Sequence, residues 1–217
     1  MYKNVFKRIF DLIFSFISLL ILFPFLLLVG FLIYLHMGNP VLVIQERPGL
    51  NGRIFKLLKF RTMNFNRDEM NKLLPDMKRI TKLGWHLRRT SIDELPELIN
   101  ILKGEMSLVG PRPLLIRYLP YYTKEQARRH TVRPGLTGLA QIKGRNALNW
   151  EDKFKYDVWY VDHLSFMLDL RILLSTIQKV IRHEGINVDQ THTAISFDEE
   201  YRNRNNNLST EQQITLK

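Results

Sequence analysis

The chain has 217 residues, 45% of them apolar, no cysteine, and a formal charge of +11. That length carries one domain with appendages, and the missing cysteines exclude a disulfide framework, a thiolate zinc site and a cysteine nucleophile, while suiting a reducing compartment. A pI near 9.9 points to an anionic partner: nucleic acid, an anionic bilayer surface or a phosphorylated small molecule.

Leu12 to Leu35 carry no charge, and a helix of that length reaches across a hydrocarbon layer. A cleaved signal fits poorly, because signal cores are shorter and the bulky Tyr34-Leu35-His36-Met37 offers no small-x-small cleavage site. Lys3, Lys7 and Arg8 precede the run, and Arg47, Arg53, Lys56, Lys59 and Arg61 follow it, so the positive-inside rule draws both ends to the cytoplasm. Pro24, at its middle, removes a backbone donor and bends a helix. The favoured reading is a re-entrant hairpin of two half-helices, with a straight span as the alternative.

After the anchor, Val41 to Ile44, the turn dipeptide Asn51-Gly52 and Ile54 to Phe60 predict a small β-hairpin. Asn66 to Lys82 is polar and helix-permissive. Leu95, Leu98, Ile99 and Leu102 predict a short amphipathic helix ending at Gly104. Trp150 to Asp162 is aromatic-rich, and Leu170, Leu173, Leu174, Ile177 and Ile181 mark a second amphipathic helix beginning near Ser165. Beyond Gly185 the chain turns Asn-, Gln- and Thr-rich, as flexible tails do. The expected fold is mainly α with a small β-hairpin: a Pro-kinked re-entrant membrane helix (1–36), a cytoplasmic globular domain with amphipathic interfacial helices (37–184) and a flexible polar tail (185–217).

The most informative stretch is Arg88-Arg89-Thr90-Ser91-Ile92-Asp93-Glu94-Leu95-Pro96-Glu97-Leu98. Pro96 is tolerated only in a first turn, so a helix must start close to Ser91 or Asp93, placing two carboxylates at its positive end. Ser91 with Glu94 also matches an ordinary capping box, and on this stretch alone capping is the commoner explanation. Arg112, held between Pro111 and Pro113 on a stiff loop, offers a planar fork suited to phosphate. Lys56, Lys59, Arg61, Arg88, Arg89, Arg133 and Arg145 add cations in glycine- and proline-punctuated segments; each alone reads as a solvated surface charge. Together with the carboxylates and the anchor they suggest a site for a diphosphate and an anionic lipid, where Mg²⁺ would fit. The aromatics Trp150, Phe154, Trp159, Tyr160 and Phe166 suit either a membrane interface or a core.

FKLLKFRTM (55–63), RRTSIDELPEL (88–98), SLVGPRP (107–113) and RPGLTGLAQIKGRN (133–146) resemble the bacterial sugar transferases. More narrowly, the chain is similar to the small monotopic polyprenyl-phosphate phosphoglycosyl transferases, over Lys3 to about Ile181. That resemblance implies Mg²⁺-dependent transfer of a sugar 1-phosphate from a UDP-sugar to undecaprenyl phosphate with release of UMP, at the cytoplasmic face of a bacterial inner membrane. It also implies membrane lipids as neighbours and no nucleic-acid partner. In the family the Asp of the Asp-Glu pair forms a phosphosugar intermediate, which maps onto Asp93, and Glu94 maps onto the metal-site residue beside it, so that Asp93 and Glu94 are the metal carboxylates. Arg112, with Pro111 in its loop, would hold phosphate; Lys59, Arg88, Arg133 and Arg145 are further substrate contacts. The re-entrant kink maps onto Pro24, with Phe23 where the family often has Ser. A non-catalytic basic membrane adaptor and a phosphohydrolase using the same carboxylates remain the other readings of these residues.

Overall fold

A run of apolar side chains this long has no stable home in water, and it sets the architecture. The computed structural model describes residues 2–144, 147–182 and 196–203. In chain order the elements are α1 (Lys7–Met37), β1 (Leu42–Pro48), β2 (Ile54–Phe60), α2 (Asp76–Arg79), α3 (Lys82–Arg89), α4 (Glu97–Lys103), β3 (Ser107–Val109), α5 (Lys124–Ala127), β4 (Gly135–Thr137), α6 (Leu139–Lys143), α7 (Trp150–Asp162) and α8 (Phe166–Arg182). The fold is mainly α with a small antiparallel hairpin.

α1 is one unbroken helix of 31 residues with Pro24 inside it, not the two half-helices expected from the sequence. Proline costs the helix one donor, and the turns on either side keep their own bonds. Asp11, Ser15, Leu19, Leu22, Leu26, Val29 and Ile33 recur every three or four residues and face the body. The first half packs on the core containing Leu98, Ile101 and Leu108; the second packs on Phe60 and Leu87. The opposite face exposes Phe16, Leu20, Ile21, Leu27, Leu28 and Phe31. Each such side chain left in water forgoes about 1.5–3 kcal/mol of burial, so an apolar medium covers that face.

β1 and β2 pair antiparallel with Val43 opposite Lys59 and Arg47 opposite Phe55. Their turn contains Asn51 (φ 53°) and Gly52 (φ 74°), the left-handed pair that an Asn-Gly dipeptide favours. β1 runs to Pro48, four residues past its predicted end. The polar stretch 66–82 is mostly irregular, with helix only at Asp76–Arg79. α3, absent from the sequence reading, follows it because the Thr81 side chain accepts from the Gly84 N–H.

α4 is clamped to β2 by Asn100, fully buried, whose side chain accepts from the Leu58 N–H (3.0 Å) and donates to the Lys56 carbonyl (2.7 Å). β3 and β4 form a parallel pair, Ser107 opposite Gly135 and Val109 opposite Thr137. The aromatic-rich stretch forms α7, α8 matches the predicted helix, and the Ser165 hydroxyl accepts from the Leu168 N–H at the head of α8. The aromatics divide: Phe154 and Tyr160 are core, whereas Trp159 and Phe166 are exposed. The tail departs from the expectation of a wholly flexible segment. Residues 197–203 are helical, and Phe197 is buried among Tyr118, Tyr122, Trp150 and Phe154. A single large apolar residue in a polar stretch suffices to dock it.

Candidate active site

Asp93 and Glu94 occupy a 3₁₀ turn, Ile92–Glu94, between α3 and α4. α4 itself begins at Glu97, later than the sequence suggests. Pro96 has no N–H to donate, and the chain tightens here into i to i+3 bonds, Leu95 N–H to Ile92 and Leu98 N–H to Leu95. The capping box does not form. Ser91 sits in the left-handed region (φ 56°) and its side chain caps nothing. Such a conformation costs about 1 kcal/mol in a non-glycine residue, a strain that native structures tolerate chiefly beside functional groups.

Glu94 instead turns to two cations. Lys59, delivered by β2, donates to Glu94 at 2.7 Å and lies 3.1 Å from Glu97; Arg112 forks onto Glu94 at 2.5 and 3.3 Å. Glu97 is 2% exposed and follows Asp93 by one helical turn, so the two share a face. Three carboxylates thus share two directly paired cations. Asp93, 9% exposed, accepts no hydrogen bond from another side chain among the described residues.

The loop bearing Arg112 is held by backbone contacts between two motifs. A Cβ on Gly110 would lie 2.5 Å from the Arg133 carbonyl, and one on Gly135 would lie 2.1 Å from the Gly110 nitrogen. Only glycine permits this approach, which lets the Gly135 N–H reach the Pro111 carbonyl at 3.0 Å. From the other side Arg129, 2% exposed, donates to the Arg112 carbonyl at 2.6 Å. Asp157 on α7 holds Arg129 in turn, at 2.8 and 3.0 Å.

The other residues singled out from sequence scatter. Arg88 bonds the Thr62 hydroxyl (3.0 Å), and its charge acts on Asp93. Pro111 serves the loop as a carbonyl acceptor. Arg133 donates from Nε to the Gly104 carbonyl at the far end of α4 and is not among the residues paired with the carboxylates. Arg145 lies outside the described residues. Pro24 lies within α1.

Beside the carboxylates is a cavity of about 140 Å³ lined by the charged Lys59, Glu97, Arg112 and Arg47 and by Leu115, Tyr118 and Trp150. Glu97, Arg47, Arg129 and Asp157 went unnoticed in the sequence. Glu97 alone had a local signal, its i+4 spacing from Asp93; the others are brought in by long-range packing.

The electrostatics follow the charge count. Burial, aided by the charge on Glu94, pushes the Asp93 carboxyl up to about 6 against the pull of Lys59, Arg88 and Arg112. Burial and Glu94 push Glu97 up to about 7. Burial works against the charge on Glu94 as well, yet Arg112 and Lys59 hold that carboxyl well below the usual range. The site therefore contains one firmly ionised carboxylate and two that are poised to change charge near neutrality.

Comparisons with known proteins bear on this arrangement. The uncharacterized sugar transferase EpsL of Bacillus subtilis is 53% identical over 193 residues, 89% of this chain and 96% of the relative. The exopolysaccharide production protein ExoY of Sinorhizobium fredii is 38% identical over 82% of this chain and 87% of its own length. The undecaprenyl-phosphate galactose phosphotransferase of Salmonella typhimurium is 36% identical over 82% of this chain, which spans 41% of that longer relative. The family model described as bacterial sugar transferase matches residues 2–183, and the chain belongs to that family.

Proposed function

We propose that this chain transfers a sugar 1-phosphate from a UDP-sugar to a polyprenyl phosphate, releasing UMP, through an ester on Asp93. The observation that carries the reading is the Asp93 carboxylate, 9% exposed and without a side-chain hydrogen-bond donor among the described residues, at the head of a cluster of fixed cations. Support comes from the printed activities of relatives: the Salmonella protein is an undecaprenyl-phosphate galactose phosphotransferase, and a UDP-galactose-lipid carrier transferase of Erwinia amylovora is 39% identical over 82% of this chain.

An Asp93 oxygen attacks the sugar-bearing phosphorus, the bond to the UMP oxygen breaks, and UMP leaves. An oxygen of the lipid phosphate then attacks the same phosphorus and frees the carboxylate. Arg112 and Lys59 neutralise the phosphates that would otherwise repel an anionic nucleophile. The donor set also fits Mg²⁺. No group of three or more metal-ligating side chains occurs among the described residues, but Mg²⁺ commonly uses one or two carboxylates completed by substrate phosphates, and the carboxylates here outnumber their paired cations. Asp93 and Glu94 would hold the ion, which would supply further charge neutralisation.

The membrane arrangement is part of the same reading. Both halves of α1 pack on one body, whereas a helix crossing the bilayer would carry the body at one end. The chain rests in one leaflet with its site on the cytoplasmic side. As the sequence has no cysteine, single cysteines introduced at residues 3 and 39 label cleanly; labelling from opposite sides refutes this topology.

Mixing with UDP-sugar and measuring intact mass tests the chemistry. A sugar-phosphate adduct on the native chain, absent from Asp93→Asn, is the expected result. Normal turnover by that variant would refute the covalent step. Product analysis without polyprenyl phosphate separates this reading from a phosphohydrolase, which would release free sugar phosphate.

A further inference from the structure

We propose that the cavity beside Arg112 is the seat of the donor's nucleobase, and that the C-terminal helix at 197–203 builds its outer wall through Phe197. The inference rests on the nucleotide donor proposed above and assigns that donor's other end. The lining has two chemistries. Lys59 and Arg112, already paired to carboxylates, are cationic and act on Asp93; Leu115, Tyr118 and Trp150 are apolar or aromatic. At about 140 Å³ it is smaller than the roughly 300–1,000 Å³ of pockets that enclose a whole small molecule, so it takes one part of a longer ligand. A nucleotide matches that polarity, with phosphate at the cationic groups and a planar base at the aromatic ones.

Arg47 supplies the polar complement. Its Nη2 donates to Gln45 at 2.8 Å, while its Nε is buried without an acceptor among the described residues. The guanidinium lines the cavity, and the carbonyl oxygens of a pyrimidine ring are the acceptors that its N–H groups suit.

The wall depends on the tail. Tyr118 lies edge-on to Trp150 (5.4 Å) and to Phe197 (5.7 Å), and Phe197 also contacts Trp150 (5.6 Å) and Phe154 (4.9 Å). Asp198 pairs with Arg117 at 3.4 Å, next to Tyr118. Phe197 is thus a positioning residue: it stands behind the two aromatics that line the cavity. Apart from Tyr201, which packs on Tyr121, its segment is polar (Asp198, Glu199, Glu200, Arg202, Asn203), which suits a wall towards water and a nucleotide better than the hydrocarbon of the lipid acceptor.

The test uses the full chain in lipid nanodiscs and compares the affinities of UMP and inorganic pyrophosphate. Phe197→Ala and Arg47→Gln should each weaken UMP by about tenfold, within the range of one lost aromatic or polar contact to a base, and leave pyrophosphate unchanged. Phe197→Met, which refills the aromatic cage, should restore most of the UMP affinity. Arg47→Gln is on the hairpin and leaves Phe197 and its aromatic partners intact, so it reports even where Phe197→Ala folds poorly. Equal losses for both ligands overturn the assignment. A raised KM for polyprenyl phosphate with UMP affinity intact overturns it in favour of the lipid. A native protein that binds UMP while both variants match it refutes the subsite alone; a native protein that neither binds UMP nor releases it from any UDP-sugar refutes the donor reading as well.

Discussion

Under the first turns of α1, Lys7, Asp169, Tyr160 and Tyr2 close on one another; at the head of α4, Glu94, Glu97, Lys59 and Arg112 pair and leave Asp93 aside. In the first cluster Asp169 takes Lys7 (2.6 Å) and Tyr2 (2.6 Å) on one oxygen and Tyr160 (2.7 Å) on the other, and Tyr160 lies within reach of the Val109 carbonyl (3.0 Å). Asp11 beside them accepts the Leu108 N–H at 3.0 Å. In the second cluster Asp93 accepts from no side chain among the described residues, and three acids lean on two paired bases. Both are buried and ionic, yet one is satisfied and fastens the membrane helix to the body, while the other keeps charge unbalanced beside a cavity. An unsatisfied cluster of this kind persists only where it is put to use.

The sharpest way to break that contrast is at the two aspartates. Asp93→Asn should lower turnover by roughly a thousandfold or more, since the nucleophile itself is removed, and retain a native unfolding transition. Asp169→Asn should do the reverse. It leaves Lys7 buried without its counter-charge, which costs about 3–5 kcal/mol in chemical denaturation, with kcat little changed in whatever fraction stays folded. A variant at Asp93 that unfolds, or one at Asp169 that is stable and inactive, would merge the two clusters into one class.

A smaller effect follows from protonation. The Asp93 carboxyl is raised to about 6 in the folded chain, so folding favours its neutral form. Stability from this group is fully present below the unfolded value near 3.8 and is lost as pH rises through about 6. With a chelator present, Asp93→Asn should therefore stabilise the chain by about 1–3 kcal/mol at pH 8 and by nothing at pH 3.5. A pH-independent difference between the two proteins would show that Asp93 is not held out of balance.

The sequence made one of these clusters legible and hid the other. Asp93, Glu94, Lys59 and Arg112 stood in short motifs, three of them punctuated by proline or glycine, and the resemblance to a family joined them across more than fifty residues. Lys7 and Asp169 are 162 positions apart in ordinary helical contexts, and no local pattern connects them. The hairpin and α8 were readable because turn chemistry and periodicity are local. The parallel β3–β4 pair was not, because each strand is three residues long and is defined by its partner. Arg133 shows the same limit: its motif was conspicuous, but its bond to the Gly104 carbonyl, 29 positions away, had no local signal.

Ser91 gives the finest test of how far motif reading extends. S-x-x-E ahead of an apolar helix is a capping pattern, and were the box formed, Ser91→Ala would cost about 1 kcal/mol through a lost bond to a helix N–H. Here Ser91 is left-handed, its hydroxyl caps nothing, and Glu94 is committed to Lys59 and Arg112. Alanine keeps the same backbone penalty and removes no bond, so Ser91→Ala should change stability by less than about 0.5 kcal/mol in denaturant titrations. A loss near 1 kcal/mol would return Glu94 to the helix terminus and remove the reason for placing it among the charges of the site.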